Sequence, residues 1–366
     1  MENCFVKKGR LELEEMIFVG RFVGILKIVL ENIKLKQRHM INIGCLFRHH
    51  FGIVFDMQLD SVDRFFKYSD TEGARFILRD GTLKFSIASK FNDPFDASIQ
   101  TLFAYDPVEK LSELLQEQIN ILFSDENYPP FVSGEIQQKM AWMRKNLFPA
   151  TQNKKDQLKK ALLEQSSESI WDLNRLRIIE AETLVDVKRI FSSDAIFCAS
   201  LTCDNQLLWS HYAKDHSGVA LEFEPSVAKD SILRLMTRVI YSNDRPVFYK
   251  SPKDFMFKSM FRESRDVNVE FARSIMMTKN TRWSYEQEVR MYIPMYIHEK
   301  ETYRLDNYYP EELKAIYLGC KTQSNDEREL VKLAISKNSD VNVFKMKMSQ
   351  TNYDLVPVQV DKDIYL

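Results

Sequence analysis

The strand patterns of this chain are unevenly spaced, and that unevenness limits the fold more than any other feature of the sequence. "FFKY" (65–68) and "TLKFSI" (82–87) flank one helical run, "TEGARFILRD" (71–80), which Gly81 stops. A long stretch of helix follows. "VEKLSELLQEQINILF" and "DQLKKALLEQSSESIWDLNRLRIIEAETLVDVKRIF" place apolar residues three and four apart. Strand patterns return at "AIFCASLT" (195–202), "GVALEFE" (218–224), "RVIYS" (238–242), "EVRMYI" (288–293), "LKAIYLG" (313–319), "VNVFKMKM" (341–348) and "LVPVQV" (355–360). Between them lie the helix "NQLLWSHYAKDH" with Asp204 as its cap, a helix running to about Lys279, and "NDERELVKLAISKN". A doubly wound parallel sheet needs regular alternation of strand and helix. The expectation is therefore α+β, with a mixed, largely antiparallel sheet and a long helical insertion at about 107–190.

Residues 57–366 read as a single domain on this pattern. Residues 1–56 read as an N-terminal extension of helical character, whose nine Lys and Arg outnumber its six acids. Its apolar stretch at 16–33 is interrupted by Arg21 and Lys27 and is too short to span a bilayer. No small-residue cleavage site follows it, so a cytoplasmic protein without a transmembrane segment is expected. Five cysteines without a CxxC suggest neither a disulfide framework nor a zinc site. A net charge of -1 gives no global pull toward nucleic acid or acidic lipid.

Ten glycines occur in 366 residues, with no GxGxxG and no GxxxxGK[ST], so the glycine-rich phosphate cradles are disfavoured. GxSxG and HExxH are missing too. Four polar clusters remain, and each also has an ordinary structural role. Lys67-Tyr68 suits a lysine running its stem along apolar surface beside a half-buried tyrosine. "FNDPFD" (91–96) has the composition of a plain turn. In "WSHY" (209–212), Trp209 and Tyr212 share a helix side as an aromatic pair facing a core, with His211 as polar neighbour. Glu286, Glu288 and Arg290 fall on one strand face at period two, which either meets solvent or lines a site.

Taken in order, F-K-Y, G-x-L-x-F-S, F-N-D-P-F-D, L-W-S-H-Y-A-x-x-H-x-G, W-x-x-E-x-E-x-R and I-Y-L-G resemble a widespread bacterial domain family of unknown function, found in stand-alone proteins and phage-defence loci. The resemblance runs from Phe65 to Gly319 and is weakest in the helical middle. The motif order is also similar to ADP-ribosyltransferases, especially toxins that modify DNA. That second resemblance implies an ADP-ribosyltransferase-like fold and NAD as the substrate. It further implies a phage-defence or toxin–antitoxin role, a nucleic-acid or protein acceptor, and an antitoxin as partner.

Carried over residue by residue, the resemblance implies that Glu288, Glu286 and Tyr212 are catalytic. Lys67, Tyr68, Phe91, Asn92, Asp93, Ser210, His211 and Arg290 would bind NAD, and no metal is assigned. Two departures stand out: Lys67 occupies a position that usually carries His or Arg, and Ser200, Ser210 and Tyr212 are all eligible for the middle-strand hydroxyl. The chemistry is coherent, because cleaving the nicotinamide–ribose bond develops positive charge on the sugar that a fixed carboxylate stabilises. Such a site requires Lys67, Asn92, Tyr212 and Glu288 in one cleft. Two other readings stay open. A metal-dependent nucleic-acid-processing effector would gather Asp93, Asp96, His211 and Glu288 around one divalent ion. A non-enzymatic binding protein would use W-x-x-E-x-E-x-R as a structural network.

Overall fold

A computed structural model of the chain describes residues 62–107, 109–123, 134–147, 151–165, 194–255, 273–293 and 302–365, with isolated positions at 177–188 and 271. The extension expected at 1–56 lies outside the described residues, as does most of the insertion beyond Gln165. The described strands are β1 (Phe65–Ser69), β2 (Thr82–Ile87), β3 (Ala195–Ser200), β4 (Val219–Phe223), β5 (Thr237–Arg238), β6 (Ile240–Ser242), β7 (Thr278–Asn280), β8 (Glu288–Ile293), β9 (Tyr303–Asn307), β10 (Leu313–Leu318), β11 (Asn342–Met348) and β12 (Leu355–Gln359). The principal helices are α1 (Thr71–Asp80), α2 (Leu111–Phe123), α3 (Gly134–Leu147), α4 (Gln152–Gln165), α5 (Gln206–Tyr212) and α6 (Ser324–Lys337).

Internal contacts gather the chain into two compact units. One takes in 99–187 and 246–273, and the other takes in 51–98, 188–245 and 274–366. In the first, α2 packs against α3 and α4, and Arg144 of α3 donates to the Ile121 carbonyl at 2.9 Å. In the same unit Phe103, Tyr249 and Phe255 form an aromatic cluster with ring centroids 4.7 to 5.5 Å apart.

The second unit holds the sheet. Its path runs β12-β11-β10-β4-β1-β3-β2-β9, with β8 pairing β3 and β5 pairing β8; β6 and β7 form a separate parallel pair. Among the described residues, only the β10–β11 pair is parallel within the large sheet. The fold is thus α+β with a mixed, mostly antiparallel open sheet. Among the described residues no helix is long and apolar enough to cross a membrane.

Apolar alternation explains how the sheet is clad. Phe65, Phe85, Phe197, Leu221, Phe223, Val289 and Met291 belong to one core that also buries Ala74, Ile77 and Leu78 of α1 and Leu330, Val331 and Ala334 of α6. The second core is smaller. Phe66 and Tyr68, offset by one from Phe65, pack there with Leu208 and Trp209 of α5. Gly81 ends α1 at φ 71°, in the left-handed region where glycine costs least, and its N–H reaches the Ile77 carbonyl at 3.0 Å.

Several expectations are corrected by this geometry. Asn205, not Asp204, caps α5 by accepting from the Leu207 and Leu208 amides; the Asp204 carboxylate takes the Thr202 hydroxyl instead. That helix ends at Tyr212 rather than His216, because Lys214, Asp215 and His216 are all left-handed. The chain must turn there to bring Gly218 against β1, so close that a Cβ would sit 2.2 Å from the Ser69 carbonyl oxygen. Lys279 lies on strand β7, not at a helix end. The exposed edge strand β9 has no apolar run and escaped the pattern. Finally, Glu286 is not on a strand with Glu288: it closes a 3-10 turn, Thr281–Glu286, and left-handed Gln287 (φ 44°) separates the two.

Candidate functional site

A fork in the sheet creates the site. β3 pairs with β8 over its whole length, but its other edge is divided: Ser200 opposes Phe66 of β1, whereas Ala195 and Ile196 oppose Ile87 and Ser86 of β2. Residues 197–199 lie between these pairings. Lys67 fills part of the gap, its ammonium donating to the Cys198 carbonyl at 2.8 Å and lying 4.9 Å over the Phe197 ring. A strand carbonyl that lacks a ladder partner is thereby satisfied.

At this fork opens a cavity of about 360 Å³. Volumes of about 300–1,000 Å³ are usual for small-molecule sites. Lys67, Tyr68, Phe91, Asn92, His211, Tyr212, Glu286 and Glu288 all line it, so the four residues required in one cleft share one cavity. Asp93 and Ser210 do not line it. Asp93 accepts from the Phe95 amide at 2.9 Å, a turn that leads into Asp96. Arg290 stands behind the wall, fully buried, with its guanidinium 5.7 Å from the Phe91 ring centre.

Strand alternation puts Val289, Met291 and Ile293 into the large core and leaves Glu288 and Arg290 on the opposite face. Arg290 Nε donates to Glu288 Oε1 at 2.6 Å and Nη2 donates to Oε2 at 3.0 Å. Nη1 and Nη2 also clamp Asp96 at 2.8 and 2.5 Å, and Nη1 reaches the Met276 carbonyl at 2.9 Å. Such bidentate pairs are the strong form of the ionic hydrogen bond. Lys279 is the second hub. Its ammonium donates to Glu288 Oε2 at 2.8 Å and to Glu286 Oε2, with Asp96 Oδ2 3.8 Å away.

Local turns bring these groups together. Asn280 accepts from the Arg282 amide and opens the 3-10 turn, which folds Glu286 back onto Lys279. Ser200 Oγ holds the Glu286 carbonyl at 2.7 Å, and the Tyr241 hydroxyl accepts from the Glu288 amide at 2.8 Å. Tyr212 donates to Glu286 Oε1 at 2.7 Å, and Asn92 donates to the Tyr212 oxygen at 3.4 Å.

The two carboxylates respond differently. Burial by itself would raise Glu288, but Arg290 and Lys279 beside it and their hydrogen bonds hold it down at about 2. For Glu286 burial prevails over the pull of Lys279 and its pKa is raised. Burial also raises the Tyr212 phenol, with Glu286 adding to the effect. Lys67 is lowered, first by burial, with Lys84 adding repulsion against the pull of Cys198 and Glu288.

Asp93, Asp96, His211 and Glu288 do not make a metal site. Among the described residues no group of three or more His, Cys, Asp or Glu side chains could hold an ion, and Asp96 and Glu288 instead share Arg290. Sequence reasoning missed Lys279, Lys84 and Lys90, all of which line the cavity. The apolar run before Lys279 was its one local signal, and it pointed to a helix.

Residues 208–291 match the family model described as protein of unknown function (DUF2971). The DUF2971 match contains Tyr212, Lys279, Glu286, Glu288 and Arg290, whereas Lys67, Asn92 and Asp96 lie outside it. No curated protein and no solved structure matches the chain.

Proposed function

We propose that the cavity cleaves the nicotinamide–ribose bond of NAD and passes the ADP-ribosyl group to a nucleophile. One observation carries this reading: Glu286 and Glu288 meet on the single ammonium of Lys279 within a cavity, in surroundings that drive their protonation apart. Paired carboxylates with separated pKa values suit divided acid–base and electrostatic roles. Glu288 stays ionised and offers fixed negative charge to the sugar as the bond to nicotinamide breaks. Glu286, steadied by Tyr212, takes the proton of the attacking water or acceptor. The bonding pair leaves with the nicotinamide nitrogen, C1′ bonds to the nucleophile, and one proton is released. Phe91 and Tyr212 on the wall supply flat surfaces for a planar ring.

A non-enzymatic role for the same network is favoured by Arg290, whose full burial and four carboxylate contacts suit a structural strut. Nicotinamide release separates the two. Wild type, Glu286→Gln and Glu288→Gln would be incubated with NAD, with and without nucleic acid or protein acceptors. The NAD reading expects release, lowered about 10²- to 10³-fold in Glu288→Gln while the circular dichroism spectrum is kept. Absence of release from wild type under every condition, or release untouched in both variants, would leave the structural role.

A further inference from the structure

We propose that Lys67, Lys84 and Lys90 form an anion subsite on the β1–β2 wall of this cavity that takes a diphosphate group. All three line the cavity, from β1, from β2 and from the 3-10 turn Ala88–Lys90 that follows β2. None has a carboxylate partner among the described residues. The Lys67 ammonium makes one hydrogen bond, to a backbone carbonyl, and keeps two N–H donors; Lys84 lies 4.8 Å over the Tyr303 ring, and Lys90 makes no side-chain hydrogen bond or ion pair among the described residues. By contrast Lys279, which lines the same cavity, and Arg290 behind its wall are held by Asp96, Glu286 and Glu288.

Like charges gathered around one cavity with no carboxylate in hydrogen-bonding contact repel one another and raise the local potential, a cost that an anionic ligand relieves. Burial is what lowers Lys67; Lys84 adds repulsion to it, against the pull of Cys198 and Glu288. Ser86, on the same face of β2 as Lys84, adds a hydroxyl to the wall. Three ammonium groups from separate elements exceed what a single carboxylate needs and suit two phosphoryl groups bound by point charges rather than by a glycine-rich loop. Only the direction in which the ligand lies, phosphates toward β1 and β2 and sugar toward Glu286, rests on the NAD reading; the binding of the anion does not.

Calorimetric titration of the full chain with inorganic pyrophosphate tests this. Three proteins are compared: wild type, the double variant Lys84→Gln/Lys90→Gln, and a control, Lys332→Gln/Lys347→Gln, which removes the same charge from exposed positions elsewhere. Saturable binding at one site, weakened about tenfold or more by the first pair, left within about twofold by the control, and weakened by added salt, is the expected result. Lys67→Gln should weaken it as well, and inorganic phosphate should bind less tightly than pyrophosphate. No saturable binding, or equal losses in both double variants, would overturn the subsite. So would a single-stranded oligonucleotide that depends on the same lysines yet is not displaced by pyrophosphate. The nicotinamide assay run alongside separates the two claims: pyrophosphate binding without nicotinamide release sinks the NAD reading alone, and release without pyrophosphate binding sinks the subsite alone.

Discussion

At the floor of the cavity Arg290 and Lys279 are buried with Asp96, Glu286 and Glu288 in hydrogen-bonding contact, whereas at its mouth Lys84 and Lys90 are exposed and pair with no carboxylate among the described residues. Solvation accounts for the contrast. A charge withdrawn from water needs hydrogen-bond partners, best of all an opposite charge, while an exposed ammonium is stabilised by water alone. The floor therefore belongs to the fold and to the site together. The exposed lysines of the mouth can be changed with little effect on the fold, so what they do must be sought in binding.

Substitutions sharpen or break this contrast. The largest effect is expected from Arg290→Leu, which leaves Asp96 and Glu288 with Lys279 as their one remaining cation among the described residues and should lower unfolding free energy by about 3–5 kcal/mol in urea titrations. Equality with Lys90→Gln in that measurement would dissolve the distinction between floor and mouth.

Next comes pH. The folded pKa of Glu288, about 2, lies below its ordinary value of 4.5, so its contribution is complete above about pH 4.5 and disappears as pH falls through 2. That contribution is on the order of 3 kcal/mol. Urea midpoints measured from pH 5 down to pH 2 should fall for wild type and fall less for Glu288→Gln.

Tyr212→Phe ranks third. It removes the 2.7 Å hydrogen bond to Glu286 and should cost about 1 kcal/mol, while nicotinamide release drops further than stability would explain. Equal release by the two proteins would remove Tyr212 from the machinery. The smallest effect is expected from Lys84→Gln and Lys90→Gln, each within about 0.5 kcal/mol of wild type by thermal or urea unfolding. A loss comparable to that of Arg290→Leu would mean that the mouth, too, is structural.

Much of the fold is legible in linear pattern. The stop at Gly81, the core face of α6 and the apolar run of β4 follow from neighbour-scale periodicity, as does the alternation that puts Val289 and Met291 inward and Glu288 and Arg290 on the other face. The aromatic pair of α5 was only half legible. Trp209 is core, packed edge-on against Tyr68 with centroids 5.3 Å apart, while Tyr212 turns toward Glu286. Glu286 itself looked like a strand residue because a left-handed Gln287 leaves no mark on the spacing of its neighbours.

What the sequence by itself determined is the class of fold and which polar residues are worth suspecting, since hydrophobic period and turn chemistry act over a few residues. Only the tertiary structure decided the fork between β1 and β2, the meeting of Glu286 and Glu288 on Lys279, and the bridge from Arg290 to Asp96 across 194 positions. Those pairings come from strand order and from the need to neutralise buried charge, and neither leaves a local trace in the chain.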